Sequence, residues 1–108
     1  MISLIELLSR CASFEWDDAN AQKNWVKHEV LAPECEQVFF NTPLLVSEDV
    51  KHSKSETRYL ALGKTDFNRK LFVIFTVRSN SVRVISARDM NRKERGVYEA
   101  SEKENPKL

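Results

Sequence analysis

Four short runs of the chain have the pattern of β-strands. The run "LFVIFTV" (71–77) is apolar on both faces, as is typical of a central strand. The turn cluster "RSNS" separates it from "VRVISA" (82–87), so these two runs predict a β-hairpin. "LLVSEDV" (44–50) and "TRYLALG" (57–63) predict two more strands, joined by a polar loop. We therefore expect a four-stranded antiparallel sheet.

Helical spacing of apolar residues and capping residues predict helices on both sides of these strands. Asp17 or Asp18 can cap a helix on which Ala21, Trp25 and His28 share one face. The next two helices are indicated mainly by the residues at which they begin.

Pro33 is favoured in a first helical turn and predicts a second N-terminal helix. Asn91 and Glu94 have the spacing of a capping box for a C-terminal helix, with Val97 and Ala100 as its apolar face. The order of elements predicts an α+β fold, with two N-terminal helices and a C-terminal helix packed on the sheet.

A chain of 108 residues is long enough for one domain with one modest core, which we place at residues 14–100. Residues 1–13 are an N-terminal extension whose apolar spacing predicts a short helix, and residues 101–108 are a tail. The apolar start carries Glu6 and is shorter than the roughly 20 residues that span a bilayer. It therefore resembles neither a signal peptide nor a membrane anchor.

Charge is distributed unevenly along the chain. Residues 1–56 carry ten acidic and five basic side chains, whereas residues 57–108 carry six acidic and twelve basic ones. Clustered positive charge indicates an anionic partner such as RNA. An ordinary solvated surface explains the same numbers, so composition leaves both interpretations open.

The densest basic patch is "RVISARDMNRKERGVY" (83–98). Arg83 and Arg88 lie on a predicted strand and at its end, and Arg92 and Arg95 are neighbours on the last helix. Four guanidinium groups in one groove would suit bidentate phosphate contacts. The alternative is an exposed helix face that is balanced by acidic neighbours.

The other candidate residues also have structural alternatives. His28 can serve catalysis or interact with a helix dipole. His52 and Glu56 flank Arg58, where a base beside an arginine suits phosphoryl chemistry, but a polar hairpin loop has the same composition. Tyr98 can offer its hydroxyl to a phosphate or pack on the sheet.

The sequence lacks the motifs that are typical of several classes of enzyme and binding protein. There is no Gly-rich phosphate loop, dinucleotide fingerprint or metal-ligand spacing, so we expect no cofactor and no metal. Cys11 and Cys35 show no disulfide or metal pattern, which indicates reduced thiols in a cytoplasmic protein.

Five motifs follow one another between Phe14 and Glu99. They are "FEWD", "NWVKHEV", "QVFFNTPLL", "HSKSETRYLALGKT" and "LFVIFTVRSNSVRVISARDMNRKER" followed by a Tyr. In this order and spacing they resemble the BrnT family of type II toxins, and "RVISAR" followed by "RKER" is the most specific part.

The resemblance implies a RelE-like fold and an endoribonuclease that inhibits translation. It also implies a BrnA-like antitoxin with a ribbon-helix-helix domain, and operator DNA that is bound only through this antitoxin. The resemblance further implies a hetero-oligomer of two toxins and two antitoxins that is not associated with a membrane.

The resemblance assigns expected roles in metal-independent RNA cleavage. Glu56 or His52 would take the proton from the 2′-hydroxyl, and Lys27, His28 or Tyr98 would protonate the leaving 5′-oxygen. Three arginines would stabilise the pentavalent phosphate. These arginines are Arg58, Arg83 and Arg88.

A rival hypothesis is a non-catalytic RNA- or antitoxin-binding module of the same fold. Arg92, Lys93 and Arg95 are expected to bind RNA or the antitoxin in either case. Both hypotheses predict an affinity for nucleic acid that falls with salt, and they differ in whether RNA is cut.

The chain departs from the family pattern at two glycine positions and at its start. Glu29 stands where the family has Gly at the end of a helix, so it is expected to reshape that turn. Gly96 interrupts the last helix at a cost of roughly 1 kcal/mol relative to Ala. Residues 1–13 precede the family's usual start and are either an additional helix or the product of an upstream start codon.

Overall fold

The computed structural model describes residues 4–11, 13–16, 28–52 and 55–104, and a sheet forms its centre. The strands are β1 (Ser13–Glu15), β2 (Leu45–Glu48), β3 (Tyr59–Lys64), β4 (Lys70–Arg78) and β5 (Ser81–Asp89). The helices are α1 (Leu4–Ser9), α2 (Ala32–Val38) and α3 (Arg92–Glu104), with a short 3₁₀ turn at Val50–His52.

The sheet has five strands in the order β1-β5-β4-β3-β2, so the prediction of four strands is wrong. The four predicted strands are present and pair in antiparallel fashion, whereas β1 pairs with β5 in parallel and makes the sheet mixed. β1 has only three residues, which is too short for an alternation of apolar and polar positions to predict it.

The prediction of three helices packed on the sheet is only partly correct. The helices predicted at Pro33 and after Asn91 are present as α2 and α3, and these two pack on the sheet. Of the helix predicted after Asp17 or Asp18, only His28 lies within the described residues. α1 is a separate helix of six residues and contributes Leu8 to the edge of the core.

One face of the sheet carries the core. Leu71, Val73 and Phe75 of β4 are buried on this covered face, opposite Val38 of α2. Gly63 of β3 lies so close to Val38 that a Cβ would collide with the valine side chain. The helix α2 can approach the sheet closely because β3 has a glycine at this position.

The β4–β5 hairpin is confirmed, and its turn has a specific backbone. Ser79 and Asn80 both have positive φ, 50° and 62°, which matches the twist of the strands that a two-residue hairpin turn joins. A bulge between Ile74 and Phe75 shifts the register, so Phe75 pairs with Val84 and Thr76 with Arg83.

The capping box that was predicted for α3 is confirmed. The Glu94 backbone N–H donates to Asn91 Oδ1 over 2.8 Å, and the Asn91 N–H donates to Glu94 Oε1 over 2.9 Å. The predicted apolar face is wrong, because Val97 is 54% exposed and Tyr98 is buried instead. In the described part of the chain, no helix is both long and apolar enough to cross a membrane.

Candidate nucleic-acid interface

The second face of the sheet, which we call the open face, has a half-buried apolar floor. Alternation along β3 and β4 places Leu60, Leu62, Phe72 and Ile74 on this face, opposite to the core. The first turns of α3 cover its edge, and a cavity of about 340 Å³ lies between Phe72 and Val97. Because α2 packs on the other face, these four side chains are only half-buried.

Arginines and carboxylates gather at the hairpin end of the open face. Arg78 Nε and Nη2 donate to the two carboxylate oxygens of Glu56 over 2.9 and 3.1 Å. Arg83 Nη1 donates to Glu15 Oε1 over 3.0 Å. Arg58 precedes β3 by one residue and its charge acts on Glu56. We call Glu15, Glu56, Arg58, Arg78 and Arg83 the Glu56 cluster.

The strand register explains why this cluster forms. Arg83 pairs with Thr76 on β5, and Glu15 pairs with Arg83 on β1, so these side chains share one face. Arg58 stands beside the same row, because Tyr59 after it pairs with Phe75. One row across β1, β5, β4 and the start of β3 therefore brings an acid and two arginines together.

The Glu56 cluster keeps its central carboxylate ionised. The hydrogen bond from Arg78 is the main cause that lowers the pKa of Glu56, and the charges of Arg58 and Arg83 add to it. A carboxylate with a lowered pKa is a weaker base, so in this arrangement Glu56 serves mainly as a partner for the arginines.

A second group lies at the other end of β5, around Arg88. Its guanidinium donates to both carboxylate oxygens of Glu94, over 2.8 and 3.0 Å, and stacks 4.1 Å from the ring centroid of Phe72. The hydrogen bonds from Arg88 are the main cause that lowers the pKa of Glu94. Glu94 thus joins Arg88 to the capping box of α3.

Arg69 organises the surroundings of Arg88. It donates to both carboxylate oxygens of Asp89 over 2.7 and 3.0 Å, and to both of Glu34 over 3.2 Å. It also donates to the backbone carbonyls of His28 and Glu29, over 3.2 and 2.8 Å. One side chain therefore ties the segment before α2, the start of α2 and the end of β5 together.

These contacts hold His28 near Arg88. A polar cavity of about 480 Å³ is lined by His28, Glu29, Arg69, Arg88 and Asp89. Glu29 itself adopts the left-handed conformation, with φ 55°, so the turn keeps the backbone that a glycine would give. We call His28, Arg69, Arg88, Asp89 and Glu94 the Arg88 cluster.

The two clusters occupy different positions along the sheet, and of the Arg88 cluster the strand register places Arg88 on the open face and Asp89 on the covered face. Arg83 pairs with Thr76 and Arg88 pairs with Phe72, so their rows are separated by roughly 13 Å along β4. The candidates Glu56, Arg58 and Arg83 are therefore close to one another, and His28 and Arg88 are close to each other, but the two sets are apart.

Of three further predicted catalytic residues, Tyr98 joins neither cluster, and the other two lie partly or wholly outside the described residues. Tyr98 is fully buried, its hydroxyl donates to the Pro43 carbonyl over 2.6 Å, and burial raises its pKa to about 12. His52 ends the 3₁₀ turn, but its side chain lies outside the described residues, as does the whole of Lys27.

The predicted binding residues lie on the first turn of α3. Arg92, Lys93 and Arg95 are exposed, and Arg95 Nη1 donates to the Met90 carbonyl over 2.7 Å. They extend the positive surface beyond Arg88. Within the described ranges, no group of three or more His, Cys, Asp or Glu side chains is arranged to hold a metal ion.

Sequence reasoning missed Arg78, Arg69 and Glu15. Arg78 has a usable signal, because it continues the alternation of Phe72, Ile74 and Thr76 onto the open face. Arg69 and Glu15 have no such signal, since their partners lie 20 to 68 positions away along the chain.

A mixed sheet with one helix-covered face and one open face edged by arginines defines a small α+β protein that suits a polyanion. The sequence profile of the family described as "Ribonuclease toxin, BrnT, of type II toxin-antitoxin system" matches residues 16–94. The chain therefore belongs to the BrnT family of ribonuclease toxins.

A solved structure supports this membership. The chain is similar to the Brucella abortus ribonuclease toxin, BrnT, with a TM-score of 0.56 and 26% sequence identity. The match covers 74% of this chain and 97% of the Brucella chain. A search of curated proteins finds no significant match.

Proposed function

We propose that this chain is an endoribonuclease that inhibits translation by cutting RNA on the open face, without a metal ion. The observation that carries the proposal is the Glu56 cluster, in which three guanidinium groups surround one carboxylate. Guanidinium groups stabilise the charge of a pentavalent phosphate, and a carboxylate can accept the proton of the 2′-hydroxyl.

RNA cleavage of this kind needs a general base, cations that stabilise the phosphate, and a general acid. We assign Glu56 as the base, with His52 as the alternative, and Arg58 and Arg83 as the groups that stabilise the phosphate. A base and an acid must both reach the same phosphodiester. The separation of the two clusters along β4 therefore favours His28 and Arg88 as contacts to another phosphate of the bound RNA.

The proposed acid remains among the three residues named from the sequence. The buried hydroxyl of Tyr98 has its own acceptor at Pro43, which argues for packing. His28 lies in the Arg88 cluster, so it can protonate the leaving 5′-oxygen only if the scissile phosphodiester is within reach of both clusters. Lys27 directly precedes His28 in the chain and stays a candidate for the same role. Cleavage assays of single variants at these three positions identify the residue that supplies the proton.

The test is cleavage of RNA by purified protein. Arg83→Ala should reduce cleavage by roughly a hundredfold or more while the circular dichroism spectrum is unchanged. Arg10→Ala is the matched control, because Arg10 is an exposed arginine that belongs to neither cluster. Cleavage at the wild-type rate by Arg83→Ala would refute the assignment, and loss of cleavage in a metal chelator would refute metal independence.

A second candidate function is RNA or antitoxin binding without catalysis. It is favoured by the ion pair between Glu56 and Arg78, which leaves the carboxylate a weak base in the unbound protein. The two functions differ in RNA integrity: inducible expression should degrade cellular RNA and arrest growth under the first and leave RNA intact under the second.

We further propose a BrnA-like antitoxin with a ribbon-helix-helix domain as the partner, in the cytoplasm. The exposed basic residues Arg92, Lys93 and Arg95 support an acidic antitoxin segment, which would compete with RNA for one positive surface. Operator DNA would be bound only through the antitoxin, in a complex of two toxins and two antitoxins. Co-expression with the adjacent gene should restore growth, and the complex should copurify with that mass.

A further inference from the structure

The guanidinium group of Arg78 could bind a phosphate, but in this structure it binds a carboxylate of the same chain. Its Nε and Nη2 atoms address the two oxygens of Glu56 side by side, over 2.9 and 3.1 Å. A phosphodiester presents two oxygens to a guanidinium in the same bidentate manner. The carboxylate of Glu56 therefore occupies the place where Arg78 would hold a phosphate.

The ion pair is accessible and easily exchanged. The Arg78 side chain is 48% exposed and that of Glu56 is 31% exposed, so water and salt weaken their attraction. Glu15 engages Arg83 through the hydrogen bond from Nη1 to Oε1, with a carboxylate that is 45% exposed. Two carboxylates of the chain thus hold two arginines of one cluster where an RNA backbone can compete for them.

We infer that a phosphodiester of RNA displaces Glu56 from Arg78, so that Arg78 binds the phosphate and the released carboxylate becomes the base beside it. This inference rests on the proposed function and deepens it, because it assigns Arg78 a role and makes the base available only when substrate is bound.

The charged groups around Glu56 explain why its displacement from Arg78 changes its strength as a base. Arg58 before β3, Arg78 on β4 and Arg83 on β5 all lower the pKa of Glu56, and Glu15 on β1 acts on Arg78. A bound phosphate takes the hydrogen bonds of Arg78 and neutralises part of this positive charge. The pKa of Glu56 therefore rises towards its ordinary value on binding, and the carboxylate becomes a stronger base.

The cleavage step balances without a further reactant. The proton of the 2′-hydroxyl passes to Glu56, the 2′-oxygen forms a bond to phosphorus, and the bond from phosphorus to the 5′-oxygen breaks. The 5′-oxygen takes a proton from the general acid or from water. The products are a 2′,3′-cyclic phosphate and a 5′-hydroxyl.

The binding experiment uses an RNA that cannot be cut. A fluorescent single-stranded oligonucleotide with 2′-O-methyl groups is titrated with wild type, Arg78→Gln, Arg78→Lys and the control Arg10→Gln over a range of salt. Arg78→Gln should weaken binding by roughly tenfold, with a salt slope smaller by about one. Arg78→Lys keeps the charge but not the bidentate geometry, so its affinity for the oligonucleotide should lie between those of wild type and Arg78→Gln.

Two pH measurements separate displacement from simple attraction. With 13C-labelled glutamate, the carboxyl signal of Glu56 should titrate at a higher pH when the 2′-O-methyl oligonucleotide is bound. In cleavage assays, the acidic limb of kcat/KM should lie below that of kcat for wild type. In Arg78→Gln the gap between these two limbs should narrow, because Arg78 no longer holds Glu56 in the free protein while Arg58 and Arg83 still act on it.

The outcomes distinguish the inference from the proposed function. If wild type cuts RNA but Arg78→Gln binds and titrates like Arg10→Gln, the displacement is wrong and the ribonuclease assignment stands. If wild type cuts nothing, yet Arg78 is needed for binding and the pKa of Glu56 rises on binding, the displacement stands and catalysis is wrong. Absence of both effects overturns both.

Discussion

At the scale of single residues, Glu29 shows how one backbone conformation serves a side-chain arrangement. Its φ of 55° costs a residue with a Cβ about 1 kcal/mol or more. Arg69 holds the turn by hydrogen bonds to the carbonyls of His28 and Glu29. The strained turn thereby places His28 beside Arg88.

Glu29→Gly should therefore raise the free energy of unfolding by up to about 1 kcal/mol, because glycine adopts positive φ without steric cost. Urea denaturation measures the change. Glu29→Ala is the matched control, since it removes the carboxylate but keeps the Cβ. If the alanine variant gains as much stability as the glycine variant, the backbone explanation fails.

Cys35 should be chemically silent in the folded protein. Burial, with the nearby charges of Glu34 and Glu36, raises its pKa to about 12, so the reactive thiolate is scarce near neutral pH. In a Cys11→Ser variant, a thiol reagent should label nothing until denaturant is added. Labelling of the native variant at the rate of an unfolded peptide would contradict the burial.

At the scale of elements, the two glycines have opposite environments. Gly63 on β3 faces Val38 of α2, with no room for a Cβ, whereas nothing lies within 4 Å of a Cβ at Gly96 on α3. The first is required for the packing of α2 on the sheet, and the second only weakens a helix.

Gly63→Ala should destabilise the protein by about 1–3 kcal/mol through overpacking. Gly96→Ala should stabilise it by roughly 0.5–1 kcal/mol, because alanine restricts the unfolded chain and favours helix. Thermal or urea unfolding of this matched pair measures both changes. Equal effects of the two substitutions would mean that α2 can shift away from β3.

A comparison of the predicted and observed elements shows how much of the fold the sequence pattern predicts. Strand-like patterns predicted β2, β3, β4 and β5, and the spacing of Asn91 and Glu94 predicted the start of α3. The sequence pattern could not predict that β1 joins the sheet, because three residues give no period, and it placed Val97 rather than Tyr98 on the buried side of α3. For the site, alternation indicates which face an arginine occupies, but its partner depends on the sheet register.

At the scale of the whole molecule, the uneven charge distribution is partly an internal arrangement. Acidic residues of the first half pair with arginines of the second: Glu15 with Arg83, Glu34 with Arg69, and Glu56 with Arg78. The acidic half therefore covers part of the positive charge of the basic half. Composition alone could not distinguish this from a free basic surface.

Three carboxylates that are paired with arginines predict a loss of stability in acid. Arginine partners lower the pKa of Glu56, Asp89 and Glu94 in the folded state. Their contribution to stability is complete above the unfolded pKa values and is lost as the pH falls below about 4. Urea midpoints should therefore drop steeply in that range for wild type.

Asp89→Asn isolates one contribution, because Arg69 is the main cause that lowers the pKa of Asp89. This variant should be less stable than wild type near neutral pH and should lose less on acidification. An identical pH dependence of the two proteins would show that the Asp89–Arg69 contact adds nothing to stability.

The parallel pairing of β1 with β5 has a consequence for synthesis on the ribosome. Glu15 and Arg83 are 68 positions apart, so β1 emerges early and waits for its neighbouring strand until most of the chain has been translated. Glu15, which binds Arg83 in the folded protein, is thus translated well before Arg83. The ion pair can therefore close only after β5 has been translated, 68 positions after Glu15.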